Sequence, residues 1–283
     1  MNAPAPRLVS SPLPVAVPNQ DSEETDRYHV PALARGLELL SRFNRRTPQL
    51  TGAELARDMQ LPRASVFRML HTLERNGYIE RVGDSASYRL GLGVLRLGFE
   101  YLASMELTEI GNPVIARLRD RCGYSAHLVV RDGRDVVFVA KAPGESALFQ
   151  SVHVGARLPA HATVLGRLLL SDLDETALRQ LYPEPRLQRF TDRTPATITE
   201  LAKLAAADRT RGWALSEGGF ETGISTVVAP VLDRMRRVAA VVSITVPAQS
   251  IEPARAHELA AQVCEAAAEI GERLFANEPG VSR

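Results

Sequence analysis

Residues 50–90, LTGAELARDMQLPRASVFRMLHTLERNGYIERVGDSASYRL, contain the signals that decide the fold of the first part of the chain. Thr51, followed three residues later by Glu54, is a capping-box pattern and predicts that a helix begins there. A second helix is predicted between Pro62 and Gly77, because proline favours a helix start and glycine a helix end. The apolar face predicted for this second helix consists of Val66, Met69, Leu70 and Leu73.

A further helix is predicted before this stretch, and a hairpin ends it. In PALARGLELLSRF, residues 31–43, the apolar residues that recur at helical spacing are Leu33, Leu37, Leu40 and Phe43. YIERVGDSASYRL, residues 78–90, predicts two short strands around Gly83-Asp84-Ser85. Three helices and a hairpin with a tight connection before the third helix are the layout of a winged helix-turn-helix. We therefore predict such a DNA-binding domain over residues 29–90.

The charge distribution agrees with that prediction. Residues 31–90 carry ten arginines and six acidic residues, and therefore a net charge of +4, whereas the whole chain has a formal charge of +1. A basic segment beside a nearly neutral remainder is typical of a nucleic-acid-binding module. Arginine is favoured throughout the chain, however, since Lys141 and Lys203 are its only lysines. Residues 1–28, rich in proline, serine and acids, are predicted to be a disordered tail.

The third predicted helix is expected to enter the major groove, where arginine binds phosphate or guanine and serine reaches phosphate. Phe67 either contacts thymine methyl groups or packs against the preceding helix, and the arginines alternatively form only a solvated face. With Thr51 at the second helix and Arg81 in the hairpin included, the predicted DNA-binding residues are Thr51, Arg63, Ser65, Phe67, Arg68, His71, Arg75 and Arg81.

A linker helix is predicted over residues 91–105. LGVLRLGFEYLASM, residues 92–105, has an apolar stripe at helical spacing formed by Leu92, Leu95, Phe99 and Leu102. The stripe either pairs with its counterpart in a second subunit or packs within the chain; dimers match two-fold operator half-sites.

Residues 106–277 alternate between helical and extended patterns without a repeated strand–helix–strand unit. Strands are predicted at SAHLVVRDG (125–133), DVVFVAKAP (135–143), ALFQSVHVG (147–155), WALSE (213–217), STVVAPVLD (225–233) and RVAAVVSITVP (237–247). Helices are predicted between and around them, ending in a long one at 252–275. The fold class is therefore α+β, with an antiparallel sheet flanked by helices and a short tail at 278–283.

Several classes of protein are not favoured by the sequence. No stretch approaches 18 consecutive apolar residues, and prolines interrupt the N-terminal segment, so neither a membrane span nor a secretory signal is expected. Two cysteines fit a reducing compartment, so we expect a cytoplasmic protein. GESAL (144–148) is not a nucleophile elbow, because its fifth residue is leucine, and no metal, dinucleotide or phosphate-loop motif occurs. We predict no enzyme activity, cofactor or metal.

Five segments together resemble the IclR family of bacterial transcriptional regulators. They are RGLELLSRF (35–43), LTGAELARDMQLPRASVFRMLHTLERNGYIER (50–81), YRLGLGVLRLG (88–98), VGARLPAHATVLGRLLL (154–170) and RGWALSEGGFETGISTVVAPV (211–231). The resemblance covers roughly residues 28–276. It implies a winged helix-turn-helix, a linker helix and a GAF-like C-terminal domain that binds a small organic effector. It also implies a homodimer or homotetramer that acts on double-stranded operator DNA of catabolic genes.

The resemblance also implies where the effector binds. In the family, backbone amides at positions matching Val164 and Leu165 hold a carboxylate, as first-turn amides of a helix can do. The residues expected at the effector site are Leu158, His161, Thr163, Val164, Leu165, Ser216, Ile224 and Thr226. For His161 a purely structural role is the alternative, as it is for His127 and His153. Ser216, Gly218 and Gly219 depart from the acidic or polar residues common there, which favours a less acidic, roomier pocket and a different or larger ligand than a small keto acid.

Two other functions stay open at this point. The C-terminal domain of a DNA-binding protein can serve only for oligomerisation, or it can be an enzyme joined to a DNA-binding head. A ligand that is consumed during incubation would favour the enzyme, and a protein indifferent to every small molecule would favour the architectural role.

Overall fold

The computed structural model describes residues 29–44, 46–104, 106–144, 152–221 and 223–275, with only the backbone for 99–104. The chain divides into two compact units that meet in sequence between Tyr101 and Leu102. The predicted tails, 1–28 and 278–283, lie outside the described residues. No helix within the described ranges has the length and apolar character needed to span a bilayer.

The first unit is a winged helix-turn-helix, as predicted. Its helices are α1 (Pro31–Ser41), α2 (Gly52–Asp58) and α3 (Arg63–Arg75), and its strands are β1 (Leu50–Thr51), β2 (Ile79–Arg81) and β3 (Ser87–Leu90). The strands form an antiparallel sheet in the order β1-β3-β2. The capping box is present, because Thr51 Oγ1 accepts from the Glu54 amide (3.2 Å) and the Glu54 carboxylate accepts from the Thr51 amide (2.8 Å). The two-residue strand β1 is too short for a sequence pattern to reveal.

The apolar core of the first unit includes only part of the helical spacing noted for residues 31–43. Leu39, Leu55 and Val66 are fully buried, and Phe43 packs with them. Leu33 and Leu37, which share the predicted helical spacing with Phe43, are 61% and 58% exposed. Helix α1 carries leucines on neighbouring stripes, and periodicity alone cannot decide which stripe meets α3. The core uses Leu39 and Phe43, and Leu33 and Leu37 are left at the surface.

The second unit is an α+β domain around one antiparallel sheet. Helix α4 (Leu92–Ser104) contains the boundary between the two units, and α5 (Glu106–Cys122) follows it. The strands of the second unit are β4 (Ser125–Asp132), β5 (Asp135–Ala142), β6 (Arg157–Pro159), β7 (Ala214–Glu217), β8 (Ser225–Leu232) and β9 (Val238–Val246). The remaining helices are α6 (Val164–Leu169), α7 (Glu175–Leu181), α8 (Ile198–Arg211) and α9 (Pro253–Leu274). The strand order is β6-β5-β4-β9-β8-β7.

Helices cover both faces of this sheet. Helices α5 and α9 pack on one face around Leu118, Leu259 and Val263. Helices α6, α7 and α8 lie on the other face, around Leu168 and Leu201. Each strand therefore alternates between two apolar cores, which is why the strand sequences are rich in valine.

Most of the strand predicted at ALFQSVHVG, residues 147–155, lies outside the described residues, and its last four residues do not form a strand. Residues 145–151 lie outside the described part of the chain, and residues 152–155 end in a turn in which Gly155 has φ +84°. The Gly155 amide donates to the Phe138 carbonyl (2.7 Å), and the chain then pairs with β5 as β6. The left-handed turn at Gly155 delays the strand to Arg157–Pro159.

Candidate functional site

The outer face of α3 presents most of the residues predicted to bind DNA. Val66 and Leu70, 0% and 1% exposed, fix the inner face of the helix. The opposite side carries Arg63, Phe67, Arg68, His71 and Arg75, all of which are exposed, while Ser65 is half-buried. Phe67 is 61% exposed, so the alternative in which it packs against the preceding helix is wrong. An exposed aromatic ring among arginines is a surface suited to the major groove.

The other two predicted residues already have partners in the protein. The hydroxyl of Thr51 belongs to the capping box of α2. Arg81, on β2, donates to the Tyr88 hydroxyl (2.9 Å), and its guanidinium lies 5.3 Å from the centre of the Tyr88 ring. The contacts with Tyr88 thus hold Arg81 in a defined position on the hairpin, whereas the Thr51 side chain caps the first turn of α2. Contact of either residue with DNA stays a prediction.

The predicted anion-binding segment lies at the start of α6. Ala160–Ala162 form a 3-10 turn, and Thr163 then takes an extended conformation (φ −109°, ψ 149°) as the N-cap of α6. Thr163 Oγ1 accepts from the Gly166 amide (3.1 Å), and the Thr163 carbonyl accepts from the Arg167 amide (3.0 Å). The amides of Val164 and Leu165 precede these in the first turn, where a helix offers them no acceptor.

Gly166 brings the 3-10 turn against the first turn of α6. A Cβ atom at this position would overlap the backbone of Ala160, including its carbonyl oxygen. Only glycine leaves room for that approach. The bare backbone of Gly166 therefore sets where the amides of Val164 and Leu165 lie.

A cavity of about 90 Å³ lies beside α6. Seven of the eight residues predicted to bind the effector line it: Leu158, Thr163, Val164, Leu165, Ser216, Ile224 and Thr226. The other lining residues are His127, Phe138, Val152, Gly219, Phe220, Glu221, Ser243 and Thr245. Aromatic and aliphatic walls with a few polar groups are the usual make-up of a small-molecule site.

A larger cavity of about 300 Å³ adjoins the smaller one, since Thr163, Val164, Ser216 and Gly219 line both. Its other lining residues are His161, Ala162, Arg167, Arg193, Pro195, Arg211, Leu215 and Glu217. Three arginines and one glutamate make this lining basic on balance. Glu217 in the larger cavity and Glu221 in the smaller one are acidic residues of the combined site. The site is therefore not free of acids, although Ser216 stands where an acidic residue is common in the family.

His161 lines the larger cavity and not the smaller one. Its Nε2 atom donates to the Gln188 carbonyl (2.9 Å), and its ring lies edge-on to Tyr182 at 5.6 Å. Burial lowers the pKa of His161. One ring nitrogen is therefore committed to the protein, which is the structural role named as its alternative; a contact with the effector stays a prediction.

The loop after β7 closes the site and is tied to the chain before α8. The Gly219 carbonyl accepts from Thr191 Oγ1 (2.7 Å) and Thr194 Oγ1 (3.2 Å). The rings of Phe190 and Phe220 pack 5.0 Å apart. A Cβ atom at Gly219 would overlap Ser216 Oγ, so a larger residue at 219 would require the Ser216 side chain to move.

Sequence reasoning missed three polar residues in the cavity wall: His127 on β4 and Ser243 and Thr245 on β9. His127 pairs in register with Ser243, and Thr245 with Thr226. Residues paired in register lie on the same face of a sheet, so these side chains share the α6 side. The available signal was polar side chains in otherwise buried, valine-rich strands. His127 is 2% exposed, while His153 is half-buried and lies outside any strand.

Comparisons with known proteins agree with these two units. The sequence profile described as "Bacterial transcriptional regulator IclR C-terminal" matches residues 99–272, and that of the "IclR helix-turn-helix domain" matches residues 32–83. The Pca regulon regulatory protein of Pseudomonas putida is 32% identical over 242 residues, covering 85% of this chain and 81% of that protein. The HTH-type transcriptional regulator XynR of Escherichia coli is 29% identical over 225 residues, covering 80% and 89% respectively. These relatives are regulators, in agreement with the prediction that the chain is not an enzyme.

Solved structures have the same fold. A putative transcriptional regulator, RHA06195 from Rhodococcus sp. RHA1, superposes with a TM-score of 0.77 at 31% identity, covering 88% of this chain and 100% of that one. An IclR homolog from Microbacterium hydrocarbonoxydans, complexed with 4-hydroxybenzoate, gives a TM-score of 0.75 at 23% identity, with 87% and 100% covered. The second likeness concerns the fold alone.

Proposed function

We propose, because this chain belongs to the IclR family of bacterial DNA-binding transcriptional regulators, that it controls catabolic genes in response to a small organic acid. In this proposal α3 binds operator DNA, and the cavities beside α6 bind the acid. The acid can change DNA binding only through different affinities for two arrangements of the protein. We place this activity in the bacterial cytoplasm, where operator DNA lies.

The observation that carries the proposal is the convergence of seven predicted residues on one cavity at the start of α6. A carboxylate there would accept from the Val164 and Leu165 amides, which also lie at the positive end of the helix dipole. The apolar residues Leu158, Leu165 and Ile224 would hold the carbon skeleton. Because the two cavities adjoin, we propose an effector larger than glyoxylate or pyruvate; tight binding of either keto acid in a calorimetric titration would contradict this size.

DNA recognition is proposed for the exposed face of α3. Its arginines reach phosphate oxygens or the O6 and N7 atoms of guanine, and Phe67 meets thymine methyl groups. In this proposal Arg81 on the hairpin makes a second contact with the DNA backbone. Binding through several arginines should weaken steeply as salt concentration rises, because each phosphate contact releases counterions.

The Arg68→Ala variant tests the proposed DNA surface. If Arg68 makes a bidentate base contact, the variant should lose about 1–3 kcal/mol of operator affinity and keep its affinity for organic acids. Fluorescence anisotropy on DNA from the intergenic region next to the protein's own gene measures this loss. Unchanged operator affinity in Arg68→Ala would remove that residue from the recognition surface.

A homodimer or homotetramer is proposed as the active form. Besides Leu33 and Leu37 on α1, Leu92 and Leu95 on α4 are 78% and 53% exposed. The side chains of Phe99 and Leu102, the rest of the predicted stripe, lie outside what the structure describes. Apolar residues at helical spacing on a surface favour contact with a second copy, and two copies of α3 fit a two-fold operator.

A further inference from the structure

His127 is a buried polar residue without a partner among the residues that the structure describes. Its side chain is 2% exposed, and neither Nδ1 nor Nε2 has a hydrogen-bond partner within those ranges. Its ring lies edge-on to Phe138 with the centres 5.5 Å apart. Leaving a buried polar group unpaired is costly, so such a group inside a binding cavity points to the ligand as its partner.

The imidazole of His127 is neutral at physiological pH. Burial lowers the pKa of His127 to about 4, and the positive charge of Lys141, its partner in register on β5, acts in the same direction. A neutral imidazole has one N–H donor and one bare nitrogen that accepts. The wall of the cavity at β4 thus offers a donor and an acceptor, and no positive charge from this histidine.

The cavity that His127 lines also has apolar walls. Phe138 and Phe220 supply aromatic surface, and Leu158, Leu165 and Ile224 supply aliphatic surface. Flat aromatic rings pack well on such walls, through offset or edge-on contacts. The cavity therefore combines the proposed anion-binding segment, apolar surface and a neutral hydrogen-bonding group.

We propose that His127 determines effector specificity by hydrogen bonding to a hydroxyl group, so that the effector is an aromatic carboxylate that carries a hydroxyl. The inference rests on the proposed function, since it assigns the carboxylate to the α6 amides. A hydroxyl suits either ring nitrogen, because it can accept from the N–H or donate to the bare nitrogen. A second carboxylate suits His127 poorly, because it would repel the bare nitrogen and would be desolvated without an opposite charge from the imidazole.

The test compares hydroxyl with methyl on the same ring in isothermal titrations of the full-length protein. The probes are 4-hydroxybenzoate with 4-methylbenzoate, and 3-hydroxybenzoate with 3-methylbenzoate. We expect the wild-type protein to prefer the hydroxyl in at least one pair by about tenfold or more, because the methyl leaves His127 unpaired. His127→Leu should abolish that preference, and His127→Gln, which keeps a donor and an acceptor, should retain part of it.

Two controls separate binding from structure. His257→Leu, an exposed residue of α9 on the other side of the sheet, should leave the preference unchanged. Without ligand, His127→Leu should melt at the wild-type temperature or above it, because an apolar side chain removes the unpaired polar atoms. A marked loss of stability in His127→Leu would instead assign His127 a structural role and overturn the inference.

The outcomes also separate this inference from the proposed function. If a hydroxyl preference persists in His127→Leu, or wild type binds the acids without any preference, acid sensing stands and the role of His127 is overturned. If the wild-type protein binds none of the four acids, the aromatic hydroxy-acid class is overturned. If operator binding also ignores a broad panel of organic acids, the proposed effector function fails as well.

Discussion

At the scale of a single residue, Gly166 sets the geometry of the proposed carboxylate site. A methyl group there would overlap the backbone of Ala160, which no side-chain movement can relieve. Gly166→Ala should therefore destabilise the protein by about 1–3 kcal/mol, as overpacking does, and weaken acid binding further by displacing the first turn of α6. Urea unfolding and calorimetric titration measure the two effects.

Gly36→Ala is the matched control. A Cβ at Gly36, inside α1, meets nothing within 4 Å. Alanine is favoured over glycine in a helix interior by about 0.5–1 kcal/mol, so Gly36→Ala should be neutral or stabilising. If Gly166→Ala behaved like Gly36→Ala, the close approach of α6 to Ala160 would not limit the site.

His127 also predicts how stability depends on pH. Its pKa is about 4 in the folded protein, against 6.5 for an exposed histidine. Below pH 6.5 the unfolded chain binds a proton that the folded protein binds only near pH 4, so the protein loses stability as the pH falls through that window. The free energy of unfolding should fall by about 2 kcal/mol between pH 7 and pH 5 from this residue alone.

The measurement is urea unfolding of the wild-type protein and His127→Leu at pH 7 and pH 5, without organic acids. The wild-type protein should lose about 2 kcal/mol more than the variant over this interval. His161, whose pKa burial also lowers, contributes the same loss to both proteins. Equal losses in the two proteins would mean that His127 is accessible to protons in the folded state.

The sequence predicted some site residues and missed others for a physical reason. Val164 and Leu165 were predicted through the resemblance to the IclR family, and the segment that carries this part of the resemblance, residues 154–170, is local in sequence. His127 and Ser243 face the cavity only because β4 and β9 pair in a particular register. Register is a long-range property, and a polar residue in a buried strand does not itself reveal which face it lies on.

At the scale of secondary-structure elements, an ion pair joins α6 to α8. Arg167 contacts Asp208, with side chains 16% and 5% exposed. Burial raises the pKa of Asp208, and the Arg167 guanidinium opposes that rise. Arg167→Met should lower the free energy of unfolding by up to about 3 kcal/mol, because it leaves a buried carboxyl without its main opposite charge. Arg211 Nη1, 3.8 Å from Asp208 Oδ1, offsets part of that loss.

The double variant Arg167→Met with Asp208→Leu tests the cause of that loss. If the unpaired carboxyl is responsible, two apolar side chains should restore most of the stability lost in the single variant. Urea unfolding of the wild-type protein, both single variants and the double variant gives the coupling energy. A double variant no more stable than Arg167→Met would show that the guanidinium stabilises α6 through other contacts.

The predictions of elements were reliable where the signals are local. The capping box of α2, the glycine after α3 and the turn at Gly83-Asp84-Ser85 each involve a few adjacent residues, and the elements they predict are present. The buried face of α1 and the start of β6 depend on what these segments pack against. The helical spacing therefore did not show that Leu33 lies at the surface, and residues 152–155 were wrongly predicted as the end of a strand.

At the scale of the whole molecule, the proposed function requires two copies of the chain to present two recognition helices. Replacing Leu33 and Leu37 together by aspartate should disrupt association, because both side chains are more than half exposed and charge would be buried in the interface. Sedimentation velocity should detect smaller species, and operator affinity should fall while helix content is kept. Met235→Asp, at a 69% exposed residue in the other unit, should change neither property. Unchanged sedimentation of the double variant would place the subunit contact elsewhere.

The central claim is that acid binding beside α6 and operator binding at α3 are coupled, and one reciprocal titration tests it directly. Operator affinity is measured by anisotropy with and without the acid that binds, and the affinity for that acid is measured with and without operator DNA. Linkage requires both affinities to change by the same factor, which for typical coupling is about 5–150-fold. Thr226→Val should weaken acid binding and leave operator affinity without acid unchanged. An acid that binds tightly but leaves operator affinity unchanged would contradict the account and leave the second unit with a role in oligomerisation alone.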